Sequence, residues 1–308
     1  MVKMFNSNLI VFFFAFLVTS CNEYQKILNN EDLNLKYKAA ESYYENGEYR
    51  RANRIFEQLV PSYRGKPQAE RLMYFFADTY YQTKNYYLAA YQFENFIKSF
   101  PKSQKIIEAN FYSAKSHYMM SPDYSLDQED TRKAINKLQI FINNYPDSSF
   151  MEESNQLISE LQVKIEKKEF EIAKQYYTIF DYRAAITALD NFIAEFVGTK
   201  YREEALYYKF LSSYEIAINS VEFKKLDRLK DLKELHMNIV RYYPETLFEE
   251  DLPYPRETCE RLAKIMRKNF KDGYYCEMRI ESGKPNFKWV PDKHKIYSNE
   301  YRTSNQVV

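Results

Sequence analysis

Glycine is nearly missing from this chain: there are five in 308 residues. Sheets turn on glycine and phosphates are cradled by glycine-rich loops, so the shortage points to helices and away from a nucleotide-binding loop. An excess of either charge is missing as well. Forty-four Lys and Arg stand against 43 Asp and Glu, a formal +1, and loss of an N-terminal segment carrying Lys3 would bring it to zero. A neutral chain has no electrostatic pull on nucleic acid, so none is expected as a partner. Uninterrupted apolar sequence is confined to Leu9–Val18, well short of the roughly twenty residues that cross a bilayer as a helix. Catalytic signatures are absent too. No Gly-x-Ser-x-Gly occurs, and His117, His236 and His294 have no metal-ligating neighbour at helical spacing. The acidic stretch 123–130 has Gln128 where a calcium loop needs glycine and Ala134 where it needs glutamate. The expectation is therefore a non-enzyme with no catalytic residue, metal or cofactor.

The N-terminus sets the compartment. Lys3, the apolar run and the small-residue end read as a secretory signal over residues 1–20. The tetrad Val18-Thr19-Ser20-Cys21 resembles a bacterial lipobox, which implies cleavage between Ser20 and Cys21 and acylation of Cys21. An ordinary signal peptide with an incidental cysteine is the plainer alternative. No aspartate follows Cys21, and 22–26 holds no acidic cluster. By comparison with lipoprotein sorting signals, this implies an outer-membrane anchor facing the periplasm. The other two cysteines, Cys259 and Cys276, could pair in an oxidising compartment or remain thiols, and spacing alone does not choose.

What the chain has in plenty is aromatic side chains, 30 Tyr and 23 Phe, and they fall in register. Ala40, Tyr43, Tyr49 and Ala52 recur as Ala77, Tyr80, Tyr86 and Ala89, and again as Ala173, Tyr176, Tyr182 and Ala185. Large apolar residues follow each second alanine at four and seven positions: Phe56 and Leu59, Phe93 and Phe96, Leu189 and Phe192. Fixed self-similarity of this kind marks a helical repeat array. Each unit would be two short helices around a tight turn, near Asn46-Gly47-Glu48 or Lys84-Asn85. Alanines would sit where the helices cross, with aromatics one turn away filling the neighbour's holes. Ala114, His117, Ala134, Leu138 and Phe141 give a third unit enlarged by eight residues within 121–131. A fifth runs from Arg202 to Asn219, through a polar stretch, to a helix with Leu232, His236 and Ile239. His117 and His236 thus occupy packing positions. The fourth unit's first helix should begin long before Glu169, because 150–168 has neither Gly nor Pro. Pro101, Pro146 and Pro244 mark helix ends.

The fold expected is all-α: a solenoid of about five tetratricopeptide-like helix pairs over 37–248. A lipid-anchored linker over 21–36 should precede it, with a capping helix at 249–270 and an irregular tail at 271–308 after it, Trp289 being a possible docking point. Stacked pairs would leave a long groove suited to an extended peptide. Tyr44, Phe75, Tyr81 and Tyr91 lie outside the packing positions and are candidates to line it, although each could instead pack between helices.

The stretch Tyr37–Ser103, with the lipobox cysteine before it, five repeats and an enlarged third, resembles the BamD family, lipoproteins of the outer-membrane β-barrel assembly machine. The resemblance covers about Cys21–Pro244. It implies the barrel-forming insertase as a partner of the C-terminal repeats and unfolded barrel substrates as partners of the N-terminal ones. Two rival readings are a repeat lipoprotein coupling cell-wall synthesis or division to the outer membrane, and a glycan-binding lipoprotein.

Overall fold

The computed structural model describes residues 23–243, 274–281 and 284–291. Its helices are α1 (Leu33–Glu45), α2 (Tyr49–Tyr63), α3 (Ala69–Gln82), α4 (Tyr86–Ser99), α5 (Ile106–Met120), α6 (Glu129–Asn144), α7 (Met151–Thr178), α8 (Tyr182–Glu195), α9 (Arg202–Ile218) and α10 (Glu222–Tyr242), followed by strands β1 (Tyr274–Glu281) and β2 (Lys284–Pro291). Successive helices form five pairs. The chain divides into two compact units at Ile165/Glu166, a boundary that falls inside the 28-residue α7.

The repeat spacing has a backbone cause. Seven residues after the key alanine, Gly47, Lys84 and Phe180 all adopt left-handed conformation, with φ of 76°, 62° and 64°. Each lets the next amide fold back onto the helix. Glu48 N–H donates to the Tyr43 carbonyl at 2.8 Å, Asn85 to Tyr80 at 2.9 Å and Asp181 to Tyr176 at 2.9 Å. These closures satisfy orphan carbonyls at the helix end and reverse the chain in three residues. Tyr43, Tyr80 and Tyr176 therefore sit four residues before the left-handed position, and Tyr49, Tyr86 and Tyr182 each open the partner helix.

A second device joins consecutive pairs. Ser103 Oγ accepts from Lys105 N–H at 3.0 Å and donates to Glu70 at 2.6 Å. Thr199 Oγ1 accepts from Tyr201 N–H at 3.2 Å and donates to Glu166 at 2.8 Å. Glu70 and Glu166 each stand seven residues before the key alanine, one at the start of α3 and the other midway along α7, so the bond ties the loop that leads to the next pair back to the first helix of the pair before it. Both hydroxyl residues are buried, where a satisfied bond matters most.

In unit 1 the alanines meet as the pattern requires: Ala40, Ala52, Ala77, Ala89 and Ala134 have no accessible surface. Phe56, Leu59, Phe93, Phe96 and Leu138 are equally enclosed. Residues 21–36, expected as a linker, are already folded where described. Helical residues 23–28 precede α1; Tyr24, Ile27 and Leu28 pack on the first core cluster, and the Tyr24 hydroxyl donates to the Arg51 carbonyl at 3.2 Å. The apolar triplet at 24, 27 and 28 carried that signal, but it is too short to stand out as a helix. α1 itself starts at Leu33, where Asp32 caps Asn34 and Leu35 at 2.8 and 3.2 Å.

The enlarged third pair has its insertion in the loop between α5 and α6. Gln128, 1% exposed, donates to the carbonyls of Asp123 and Leu126 at 2.8 and 2.9 Å and accepts from Thr131 at 2.7 Å. Lys164 Nζ reaches Ser121 Oγ at 2.7 Å, fixing the loop to α7. The loop's acids close turns: Asp123 accepts from Ser125 N–H at 3.0 Å and Asp127 from Glu129 N–H at 2.8 Å. His117 is buried at its repeat position, its imidazole held below the usual value by burial and then by Lys133 and Lys137.

In unit 2, Phe170, Ala173, Leu189, Phe192 and Ala205 form the core cluster. The polar stretch expected after Asn219 is the opening of α10, which starts at Glu222 after a three-residue turn. Leu229 and Leu232 are buried there, and His236 packs its ring 5.8 Å from Phe210. The expected capping helix and Cys259 lie outside the described residues. The tail is not irregular where it is described. β1 and β2 pair antiparallel with Glu281 opposite Lys284 and Cys276 opposite Trp289. The sequence held the signal: Cys276, Met278 and Ile280 alternate with Glu277, Arg279 and Glu281, the period of a strand. The prolines at 285 and 291 pointed the other way, but they stand next to the start and at the end of β2, where strands tolerate them.

Because Ala89 has no free surface against α3, Ala89→Leu should cost about 1–3 kcal/mol through overpacking. Thermal unfolding of the variant checks this, and an unchanged melting temperature would mean that the helices do not cross there.

Candidate functional site

Three of the four aromatic candidates belong to a recurring contact that the first-pass pattern left out. Counting from the key alanine, the ring four residues on meets one nine residues on in its own pair and one two residues before the next key position. In the first pair Tyr44 lies 5.6 Å from Tyr49 and stacks on Phe75 at 4.3 Å. In the second, Tyr81 lies 5.6 Å from Tyr86 and 4.9 Å from Tyr112. Unit 2 repeats it with Tyr177, 5.9 Å from Tyr182 and 5.2 Å from Tyr208. Tyr44, Phe75 and Tyr81 are thus inter-repeat packing residues, half-buried, with an edge still open to solvent. Tyr91 does not join them: it stands 55% exposed on α4, the second helix of its pair.

Around these rings the first helices of unit 1 present an interleaved face of charge and aromatic surface. Arg71 pairs with Glu41 at 3.0 Å and lies 5.1 Å over the Phe75 ring. Lys105 pairs with Glu108 at 2.6 Å and sits 5.2 Å over Tyr74. Lys115 pairs with Glu153 at 2.6 Å and lies 5.5 Å over Phe111. Each cation thus lies over a ring face while its charge is balanced by a carboxylate. Sequence inspection passed over Arg71, Asp78, Tyr112 and Lys115, although Arg71, Phe75, Asp78 and Gln82 fall on one helical stripe of α3 and Glu108, Tyr112 and Lys115 on one of α5.

Asp78 is the buried polar centre of this face, 5% exposed. The Tyr44 hydroxyl donates to it at 2.6 Å and Gln82 Nε2 at 3.2 Å. Burial raises its carboxyl above the usual range, and these two donors pull the other way. The Tyr44, Tyr74 and Tyr81 phenols are all pushed up, chiefly by burial, so they remain protonated donors. Tyr37 is pushed up to about 12 by burial and then by Glu41. Such a face offers hydrogen-bonding groups and ring contacts. Among the described residues no group of three or more His, Cys, Asp or Glu could hold a metal ion.

The model of the YfiO family, described as outer membrane lipoprotein, matches residues 30–186 and 163–265. Together these matches span more than three quarters of the chain. The chain belongs to the YfiO family. Membership makes it an outer membrane lipoprotein. No curated protein matches in sequence. Among solved structures, the crystal structure of a Podospora anserina putative kinesin light chain with nearly identical TPR-like repeats aligns at 13% identity, over 68% of this chain and 96% of that one, with a TM-score of 0.29. The family match reaches into the fifth pair and beyond, whereas the hairpin at 274–291 lies past its end.

Replacing Tyr44 by Phe removes one of the two donors that favour the ionised form of Asp78. A carboxyl raised in the folded state adds stability at low pH that is lost as pH climbs through its folded value. The loss of the Tyr44 hydroxyl should therefore cost about 1–3 kcal/mol near neutrality and less near pH 4. Denaturant titrations of both proteins at the two pH values check this; an equal deficit at both would mean that the hydroxyl does not stabilise the charged carboxylate.

Proposed function

We propose that this outer membrane lipoprotein is a BamD-type scaffold of β-barrel assembly, anchored through acylated Cys21 and facing the periplasm. In this reading it binds the barrel-forming insertase and receives unfolded barrel substrates. The observation that carries the receptor role is the face of unit 1, where half-buried rings of Tyr44, Phe75, Tyr81 and Tyr112 alternate with balanced ion pairs. Barrel substrates carry extended, aromatic-rich strands that aggregate when unpaired. Tyrosine and phenylalanine edges offer such strands large contact area at low entropy cost, and neutralised cations do not repel either charge. The scarcity of catalytic groups suits a holding function.

Two measurements test this. Cys21→Ser should abolish incorporation of a lipid label and release the protein from outer-membrane fractions; normal fractionation with the label retained would remove the anchor. A photocrosslinking residue at Arg71, exposed on α3, should capture a peptide copied from the C-terminal strand of a barrel protein more strongly than a scrambled peptide of equal composition. The same group at Tyr87, exposed on α4, should show no preference. Equal labelling by both peptides at position 71 would overturn the receptor role.

A further inference from the structure

The turns of unit 2 differ in chemistry from those of unit 1. Six and seven residues after the key alanine, the first two pairs carry Asn46-Gly47 and Thr83-Lys84, ordinary polar turn residues. The fourth pair carries Ile179-Phe180, 59% and 75% exposed. Phe180 also holds the left-handed conformation, φ 64°, which glycine adopts freely and a phenylalanine disfavours. A large apolar side chain is thus kept on the outside of a turn at a conformational cost, where glycine would serve the fold better. The end of the fifth pair's turn and the first turn of α10 repeat the chemistry, with Val221 56% and Phe223 78% exposed.

The two turns are neighbours. α9 runs back along α8, its Arg202 donating to the Ile193 carbonyl at 3.4 Å and its Lys209 pairing with Asp190 at 2.5 Å, so the end of α9, capped by Asn219, returns to the start of α8. Both turns therefore lie at one edge of unit 2. Their apolar side chains stand on convex reversals, a shape suited to insertion. Basic residues follow at once: Lys224 lies with its ammonium 5.6 Å from the Phe223 ring centroid, and Lys225 is next. Two acids at the same edge are engaged locally, Asp181 by the Ala184 N–H at 3.2 Å and Glu215 by the Asn219 side chain at 3.2 Å. A ring beneath a cation matches the boundary of a bilayer, where acyl chains meet phosphates. The family places the chain at such a surface.

We propose that this edge docks on an anionic phospholipid surface, inserting Phe180 and Phe223 at the level of the head groups and setting Lys224 and Lys225 against the phosphates. It is a second membrane contact, separate from the N-terminal anchor and independent of the barrel-assembly role. The test uses residues 21–308 carrying Cys21→Ser, so that no acyl chain contributes, with vesicles of phosphatidylethanolamine and phosphatidylglycerol. The chain should co-sediment with them, and less with pure phosphatidylcholine. Phe180→Ser with Phe223→Ser should lower binding at least about tenfold, the effect of withdrawing two large apolar side chains from lipid. Phe180→Gly should weaken binding while raising the melting temperature, because it relieves the turn; a simple folding defect would lower both. No co-sedimentation of the parent, or equal binding by the double serine variant, would overturn the proposal. So would loss of a protein partner from that variant with vesicle binding unchanged, which would make the edge a protein interface.

Discussion

Everything in the two units rests on the close crossing of helices at alanine. A single pair of short helices has one apolar face too many: the face against its partner is covered, and the other needs a neighbour. Alanine at Ala40, Ala52, Ala77 and Ala89 brings backbones together with no free surface, which in turn fixes where the next large side chain can go. Phe56, Phe93 and Leu189 fill that space. Lengthening any of these alanines moves the helices apart and leaves the aromatic residues without their contacts.

The aromatic clasp is the second consequence of that crossing. Tyr44 with Phe75, Tyr81 with Tyr112 and Tyr177 with Tyr208 are three instances of one geometry, reached because the left-handed turn holds the first ring at a constant offset. The third pair departs from it. Its Tyr118 donates to Glu160 instead of meeting a ring, and Phe150, just ahead of α7, stacks on Phe111 at 4.3 Å. The enlarged loop, tied through Gln128 and Lys164, and the long α7 accompany that change. Insertion and altered junction are one adaptation: a longer connection requires a longer helix to cover it.

The alanine–tyrosine spacing made the helix pairs legible in sequence, since it is set by backbone geometry that repeats unchanged. Less legible were features that repeat in space but change in residue type. The ring before the next key position is Phe75, then Tyr112, then Tyr208, and the tie between pairs is Ser103 with Glu70, then Thr199 with Glu166. Identity matching discounts such positions even though their chemistry is constant. For the same reason Tyr44, Phe75 and Tyr81 looked like surplus aromatics, free to line a groove, when each is half committed to the junction between pairs. The helical segment at 23–28 and the hairpin at 274–291 escaped for a different reason. One is too short for a helical period to emerge, and the other carries prolines that mask its alternation.

Charge follows the same logic of local commitment. A chain with 44 basic and 43 acidic side chains carries almost no net charge, so its electrostatics act through local arrangements of ions. In unit 1 the proposed receptor face consists of rings flanked by paired ions. In unit 2 the exposed apolar side chains move to the turns, where phenylalanine replaces glycine at a left-handed position. Equivalent positions in one repeat series thus carry opposite chemistry. The fold is served by the polar version, so the apolar one leaves Ile179 and Phe180 exposed, and the proposed contact with the bilayer would cover them.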